Sequence, residues 1–572
     1  MSFERLQSET GPAAQKRGAD IVSEPMPSEQ QEEAAENQPN SEADDLLWQE
    51  ILRESPVEWS ESLPGMEEML MTIDPPMELS GNEYSNKLTR KDITRINQLA
   101  QMSPEELIEK IKTMEREIYQ LSKSEASEMT RARLYILPAV LLALHLVSLS
   151  TAQYFSHRPQ PNQLAFADNP QYKELQRVYE WKNIQYGFPT EREREQVLRN
   201  GRYNPDSPIP IDIDVYYPPQ GGPVRHFITT PRFGQGVPYS LGYVTQVQRE
   251  NGSEIQAYPS YDWHKTHGGD CDGLTSVYRV HIDACGQMWI LDSGEIEFVQ
   301  HCAPQVVVID LASNQLIHRY RLPAATFKAT VSRFVTILAD IQDPPPRGAC
   351  REAFVYLADP TSKAIVVYDV RGNKSWRVEN KFTYPDARFG TLTVAGESFE
   401  LLDGPLAMVV TPNGLGLRRH LIFHALCNEL ELAIPLDVLQ NSTRWQQGLS
   451  SSLEEFVTLG RRGVQCAAHA VSRSGFLFCG FLEPIGIIGW NIKTPYARPN
   501  LKLLALNPET LQFVSGMKIV TRPSDGREEL WIFSNRLQKV FAGTINYKEI
   551  NYRVQRCDVD DMLQGRGCGT GS

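Results

Sequence analysis

The chain has 572 residues and a net charge of −14, and that charge is unevenly placed. Residues 1–128 hold 28 acidic and 12 basic side chains, a net of −16, which leaves +2 for the rest. The acidity therefore belongs to the head of the chain, and neither part carries the basic footprint that direct nucleic-acid binding requires.

Residues 1–45 are polar, acidic and nearly free of aromatics, a composition that cannot bury enough surface to fold. An acidic disordered segment is expected over 1–87, with short α-helices after it. Ser103-Pro104-Glu105-Glu106 supplies a helix start: a capping residue, a proline at the first helical position and acids in the first turn. Leu107, Ile111, Met114, Ile118 and Leu121 then recur at 4-3-4-3 spacing, a two-heptad apolar seam. A helix that short needs a partner. It pairs either with the segment holding Ile93, Ile96 and Leu99 or with another chain, so 88–128 is read as a partner-binding segment.

RESPVEWSESLPG (53–65), LTRKDITRINQLAQMSPEELIEKI (88–111) and EASEMTRARLYIL (125–137) resemble the smallest subunit of the MuvB core, the lin-fifty-two protein of the DREAM transcription-repressor complex. The resemblance implies a nuclear scaffold that pairs with a larger MuvB subunit. It also implies phosphorylation at Ser55, in Arg53-x-Ser55-Pro56, to help dock a retinoblastoma-type pocket protein. The pocket-binding pattern L-x-S-x-E departs here, because Trp48 stands where the serine belongs in Leu46–Glu50.

Residues 129–152 then read as a secretory signal in the middle of the chain. Arg131 and Arg133 precede an apolar run from Leu134 to Leu149, and Ser150-Thr151-Ala152 offers a small-residue cleavage site. The run is short for a membrane span, so a cleaved signal peptide or a signal anchor is expected. All nine cysteines follow it, as do the three glycosylation sequons at Asn251, Asn373 and Asn441. Disulfides and glycans belong to an oxidising lumen, whereas the head suits a reducing compartment. The chain thus reads as two proteins joined end to end, a nuclear head and a secreted body, and a fused gene model or shared locus is the expected origin.

The body, 153–572, repeats one pattern: an apolar strand, a polar turn and a second apolar strand. First strands are VRHFITT (224–230), MWILDSG (288–294), VYLADPT (355–361), LIFHALC (421–427), FLFCGFL (476–482) and LWIFSNR (530–536). Partners follow at QVVVIDL (305–311), AIVVYDV (364–370), ELAIPLDV (431–438), IGIIGWNI (485–492) and KVFAGTI (539–545). Six such units predict an all-β, six-bladed propeller around a central channel. VYEWKNIQYGFP (178–189), FITTPRFGQGVPYSLGYV (227–244), CDGLTSVYRVHIDACGQMWILDSG (271–294) and LLDGPLAMVVTP (401–412) resemble the Yellow/major royal jelly protein family of insects. The resemblance implies a secreted six-bladed propeller with roles in cuticle or eggshell pigmentation and hardening, dopachrome conversion, or binding of biogenic amines. Its ligand would be a small aromatic amine or catechol-derived molecule.

No G-x-S-x-G, H-E-x-x-H or phosphate-loop motif is present, and no cofactor is expected. His264, His267 and Asp270 have metal-like spacing ahead of Cys271, although a polar loop explains them as well. Asp272-Gly273 and Asp403-Gly404 open two inner strands, and each aspartate is a candidate partner for a ligand ammonium at the channel mouth; the alternative is an aspartate capping its own turn. Asp292, Asp359 and Asn535 follow the middle strands of three blades, a shared position that favours turn chemistry. His469 and His424 are the candidates for moving a proton in tautomerisation, against the alternative of satisfied core histidines. Cys285 and Cys302 flank neighbouring strands of one blade and are candidate partners, with Cys350 the alternative for either. With nine cysteines, at least one stays unpaired within the chain.

Overall fold

Each of the six apolar runs picked out above is the second strand of a blade of a β-propeller; blades 2 to 6 are four-stranded antiparallel sheets, and blade 1 has a fifth strand, Gln185–Tyr186, which pairs in parallel with Gly252–Ala257. The computed structural model describes residues 174–219, 221–445 and 453–568. Ser55, Trp48, the head helices and the 129–152 signal lie outside them. No described helix is long and apolar enough to cross a membrane.

The innermost strands, in blade order, are Asp212–Tyr216, Val277–Ile282, Thr336–Ile341, Pro405–Val410, Cys466–Val471 and Phe513–Thr521. Blade 6 is closed by the N-terminal strand Gln176–Trp181, which pairs outside Tyr552–Asp558. Two-residue alternation explains how the blades stack. In Gln287–Asp292, Met288 and Ile290 pack toward blade 1 with Phe227 and Leu241, while Trp289 and Leu291 pack toward blade 3 with Phe334 and Val355. A strand buried on both faces must be apolar at nearly every position, which is why these runs stand out in the sequence.

One run departs from expectation. Part of KVFAGTI forms the short helix Leu537–Phe541, and the third strand of blade 6 is Tyr552–Asp558 instead. The side chain of Asn535 accepts the Leu537 backbone N–H, and Arg536 is held by Glu509 and Glu549, so the chain turns into a helix as it leaves its strand.

Of the disulfide candidates, the Cys285–Cys302 pairing is not formed and the alternative with Cys350 is. Cys285 joins Cys350, and Cys302 joins Cys271. Cys285 sits between the first and second strands of blade 2, and Cys302 between the second and third. Antiparallel strands put those connections on opposite faces of the propeller, so the two cannot meet. Cys466–Cys479 and Cys557–Cys568 complete the set, and Cys427 is the free, buried thiol. Asn251, Asn373 and Asn441 all fall between third and fourth strands, in blades 1, 3 and 4. They therefore share the face where the inner strands end.

Candidate functional site

Six inner strands converge on a channel, and one side chain crosses it. Arg279 of blade 2 donates to the Thr336 hydroxyl and to the carbonyls of Leu406, Ala467 and Ser515, one group from each of blades 3 to 6. Burial of the guanidinium lowers its pKa, which the charge of Asp212 opposes. On the side where the inner strands begin, the channel is filled by an apolar cluster that includes Val335, Leu392, Val394, Phe399 and Leu406.

On the side where the inner strands end lies a cavity of about 270 Å³, lined by residues of all six blades. Asp212 and Asp214 sit two apart on one strand and so share a face. Asp212 pairs with Lys518 at 3.0 Å, while Asp340 pairs with Arg419 at 2.6 Å. Asp214 has no such partner among the described residues; its oxygens accept the Val215 and Ile282 backbone N–H groups at 2.8 and 3.1 Å. Burial pushes its carboxyl up to about 7, with Lys518 opposing and Asp212 adding to the shift. His281 is driven down to about 3 by burial and by Lys518.

His469 completes the lining, and both of its ring nitrogens lack a hydrogen-bond partner. Burial holds it neutral, its pKa well below the usual 6.5 despite the nearby charge of Glu431. Behind it, Glu431 lies 3.6 Å from His469 Nε2, 3.3 Å from His424 Nδ1 and 2.8 Å from Arg462. His424 stands edge-on to His469 with ring centroids 4.4 Å apart, and its Nε2 bonds the Cys466 carbonyl at 2.8 Å. Asp212 Oδ1 and Arg279 Nε also lack partners. Four buried polar atoms without a partner thus belong to residues that line one cavity, and buried polar groups are ordinarily satisfied. The arrangement is chemically suited to hold a small polar molecule.

The other sequence candidates lie elsewhere. Asp272 is exposed and ion-paired with Arg321, beside Arg319, on the outer strand of blade 2. Asp403 does not line the cavity, although its carboxyl is raised by burial near Lys363 and Arg333. His264 is a buried side chain whose Nε2 bonds the Tyr258 carbonyl at 2.8 Å. His267 is likewise kept neutral by burial, Asp270 Oδ1 accepts the Asp272 N–H, and Cys271 is bridged, so the loop does not gather a metal-ligand set. The aspartate of the Asp292 turn accepts the Thr275 and Ser276 N–H groups, and that of Asp359 the Arg333 N–H. The residues missed include Asp212, Asp214, Arg279, His281, Asp340, Arg419 and Lys518. A signal existed: IDIDV (211–215) places two acids on one face of an otherwise apolar strand.

Residues 275–568 match the family described as Major royal jelly protein, and residues 46–137 match the lin-fifty-two family, described as Retinal tissue protein. Dopaminechrome tautomerase of Drosophila melanogaster is 32% identical over 414 residues, covering 71% of this chain and 86% of that protein. Major royal jelly protein 9 of Apis mellifera is 28% identical over 400 residues, covering 68% and 89%. Protein yellow of Drosophila subobscura is 28% identical over 445 residues, covering 76% and 71%. With this propeller and these relatives, the chain belongs to the major royal jelly protein family.

Proposed function

We infer that the body, 153–572, is a secreted protein that binds or converts small catechol-derived or aromatic amine molecules in pigmentation and hardening of cuticle or eggshell. The observation that carries this is the cavity behind Arg279, where a neutral imidazole, a carboxyl near pKa 7 and buried cations line a space of small-molecule size. Dopaminechrome tautomerase among the relatives supports the reaction class. Such a tautomerisation needs a base for a carbon-bound proton and a donor for the quinoid oxygen. Four disulfides support an oxidising compartment. The test is to mix the purified full-length protein with dopachrome or dopaminechrome and follow loss of visible absorbance against boiled protein. Acceleration is expected. Its absence, with dopamine still bound in calorimetry, leaves a ligand-binding or matrix protein.

For the head, we infer pairing with a MuvB-core subunit in the nucleus, with Ser55 as the regulated site; the family match over 46–137 supports it. Head and body then act as separate molecules. A peptide spanning residues 125–155 in tissue proteomics would overturn that separation.

A further inference from the structure

Three carboxylates line the cavity, and their surroundings give them different work. Asp212 is neutralised by Lys518 at 3.0 Å and Asp340 by Arg419 at 2.6 Å. Asp214 alone of the three has no cation at ion-pair distance, and two backbone N–H groups fix its orientation. Its neighbour Asp212 on the same strand, Arg279 and His281 on blade 2 and Lys518 on blade 6 are the charged and titratable groups about it. Across the cavity, His469 is the less able base. Burial opposes its protonation, as do His424, Arg462 and Arg279, against the nearby charge of Glu431. A neutral imidazole nevertheless carries one N–H, and neither ring nitrogen is otherwise engaged.

We propose that Asp214 is the catalytic residue that takes the carbon-bound proton, and that neutral His469 donates its hydrogen bond to the quinoid oxygen. The assignment rests on the catalytic reading of the cavity given above. In the step, the ring C–H bond breaks and the proton passes to the Asp214 carboxylate. The electron pair moves through the conjugated ring to the quinoid oxygen, where an O–H bond forms with a proton from water. Asp214 then returns its proton to water, and nothing is oxidised or reduced. A carboxyl titrating near neutrality suits the task, since a base works best when its pKa lies close to the working pH.

The test uses the full-length protein, dopachrome as substrate and dopamine as the binding probe. Asp214→Asn should lower kcat by about a hundredfold or more while the folded variant still binds dopamine in calorimetry, since the amide keeps the shape but cannot take a proton. The wild-type rate should rise with pH along an acid limb with an apparent pKa between about 6 and 8, and Asp214→Asn should lack that limb. A folded Asp214→Asn protein with wild-type kcat overturns the assignment. If that variant is not secreted, the wild-type profile decides: a rate independent of pH from about 5 to 9 overturns it equally. No conversion by wild-type protein instead sinks the catalytic reading of the cavity, and this assignment with it. Conversion that survives Asp214→Asn sinks the assignment alone.

Discussion

Gly404 shows why a residue can matter without any chemistry of its own. A Cβ there would sit 2.7 Å from the Thr383 carbonyl oxygen and 3.1 Å from both Lys363 Cα and the Pro360 oxygen, all backbone atoms that cannot swing aside. Gly273 is in the same position, 2.4 Å from the Trp263 oxygen. Both glycines are demanded by close approach of chain to chain. Gly404→Ala should cost about 1–3 kcal/mol, read from the midpoint of chemical denaturation. The Asp-Gly pairs were visible in the sequence, but their meaning was not. An aspartate before an inner strand reads alike whether it faces the channel or, as Asp272 does, an arginine on the outer edge. His469 was legible because a histidine in an apolar strand is conspicuous. Arg279 was not, because its partners come from four blades and are separated from it by 57 to 236 positions.

Among the elements, the hairpin Thr391–Glu400 reaches beyond its own blades. It belongs to the connection from blade 3 to blade 4, yet Phe399 stacks on Phe541 at 4.8 Å and Glu397 pairs with Lys539 at 2.7 Å, both on the short helix of blade 6. Leu392 and Val394 are buried on its underside. Its turn, Ala395-Gly396, holds both residues at positive φ, the geometry that fits the twist of a two-residue hairpin. Alanine in place of the usual asparagine hid that turn from a reading of the sequence. Phe399→Ala should cost about 3 kcal/mol and raise proteolysis within 391–400, measured by denaturation and by limited digestion. The second strands of all six blades were legible because burial on both faces leaves them nearly uniformly apolar. The KVFAGTI segment failed for the same reason in reverse: an apolar run of that length does not distinguish strand from helix, and the Asn535 cap decided it.

At the scale of the molecule, acid should be the main threat to stability. His264 and His281 are held neutral in the folded state, each driven down to about 3 from 6.5 by burial, and His226 to about 4. Between those values and 6.5 the unfolded chain binds more protons, so stability rises with pH through that window and is lost as pH falls through it. Asp214 runs the other way: its raised carboxyl favours folding below 3.8, an advantage lost as pH rises toward about 7. Asp283, Glu295 and Asp403 are raised by burial as well, but these four carboxyls are outnumbered by seven lowered histidines, so Tm should fall on going from pH 7 to pH 4, and calorimetric melts across that range would check it. The blade count and the disulfide-bearing body could be read from the chain; the disulfide partners could not, because they follow which face each connection lies on. Arg279 has one more consequence. With its guanidinium across the channel and an apolar cluster packed beyond it, the propeller is a dead-end chamber and not a tube. Whatever enters past Asp340 and Arg419 must leave by the same mouth, so a molecule still inside bars the next, and occupancy is governed by traffic through a single door.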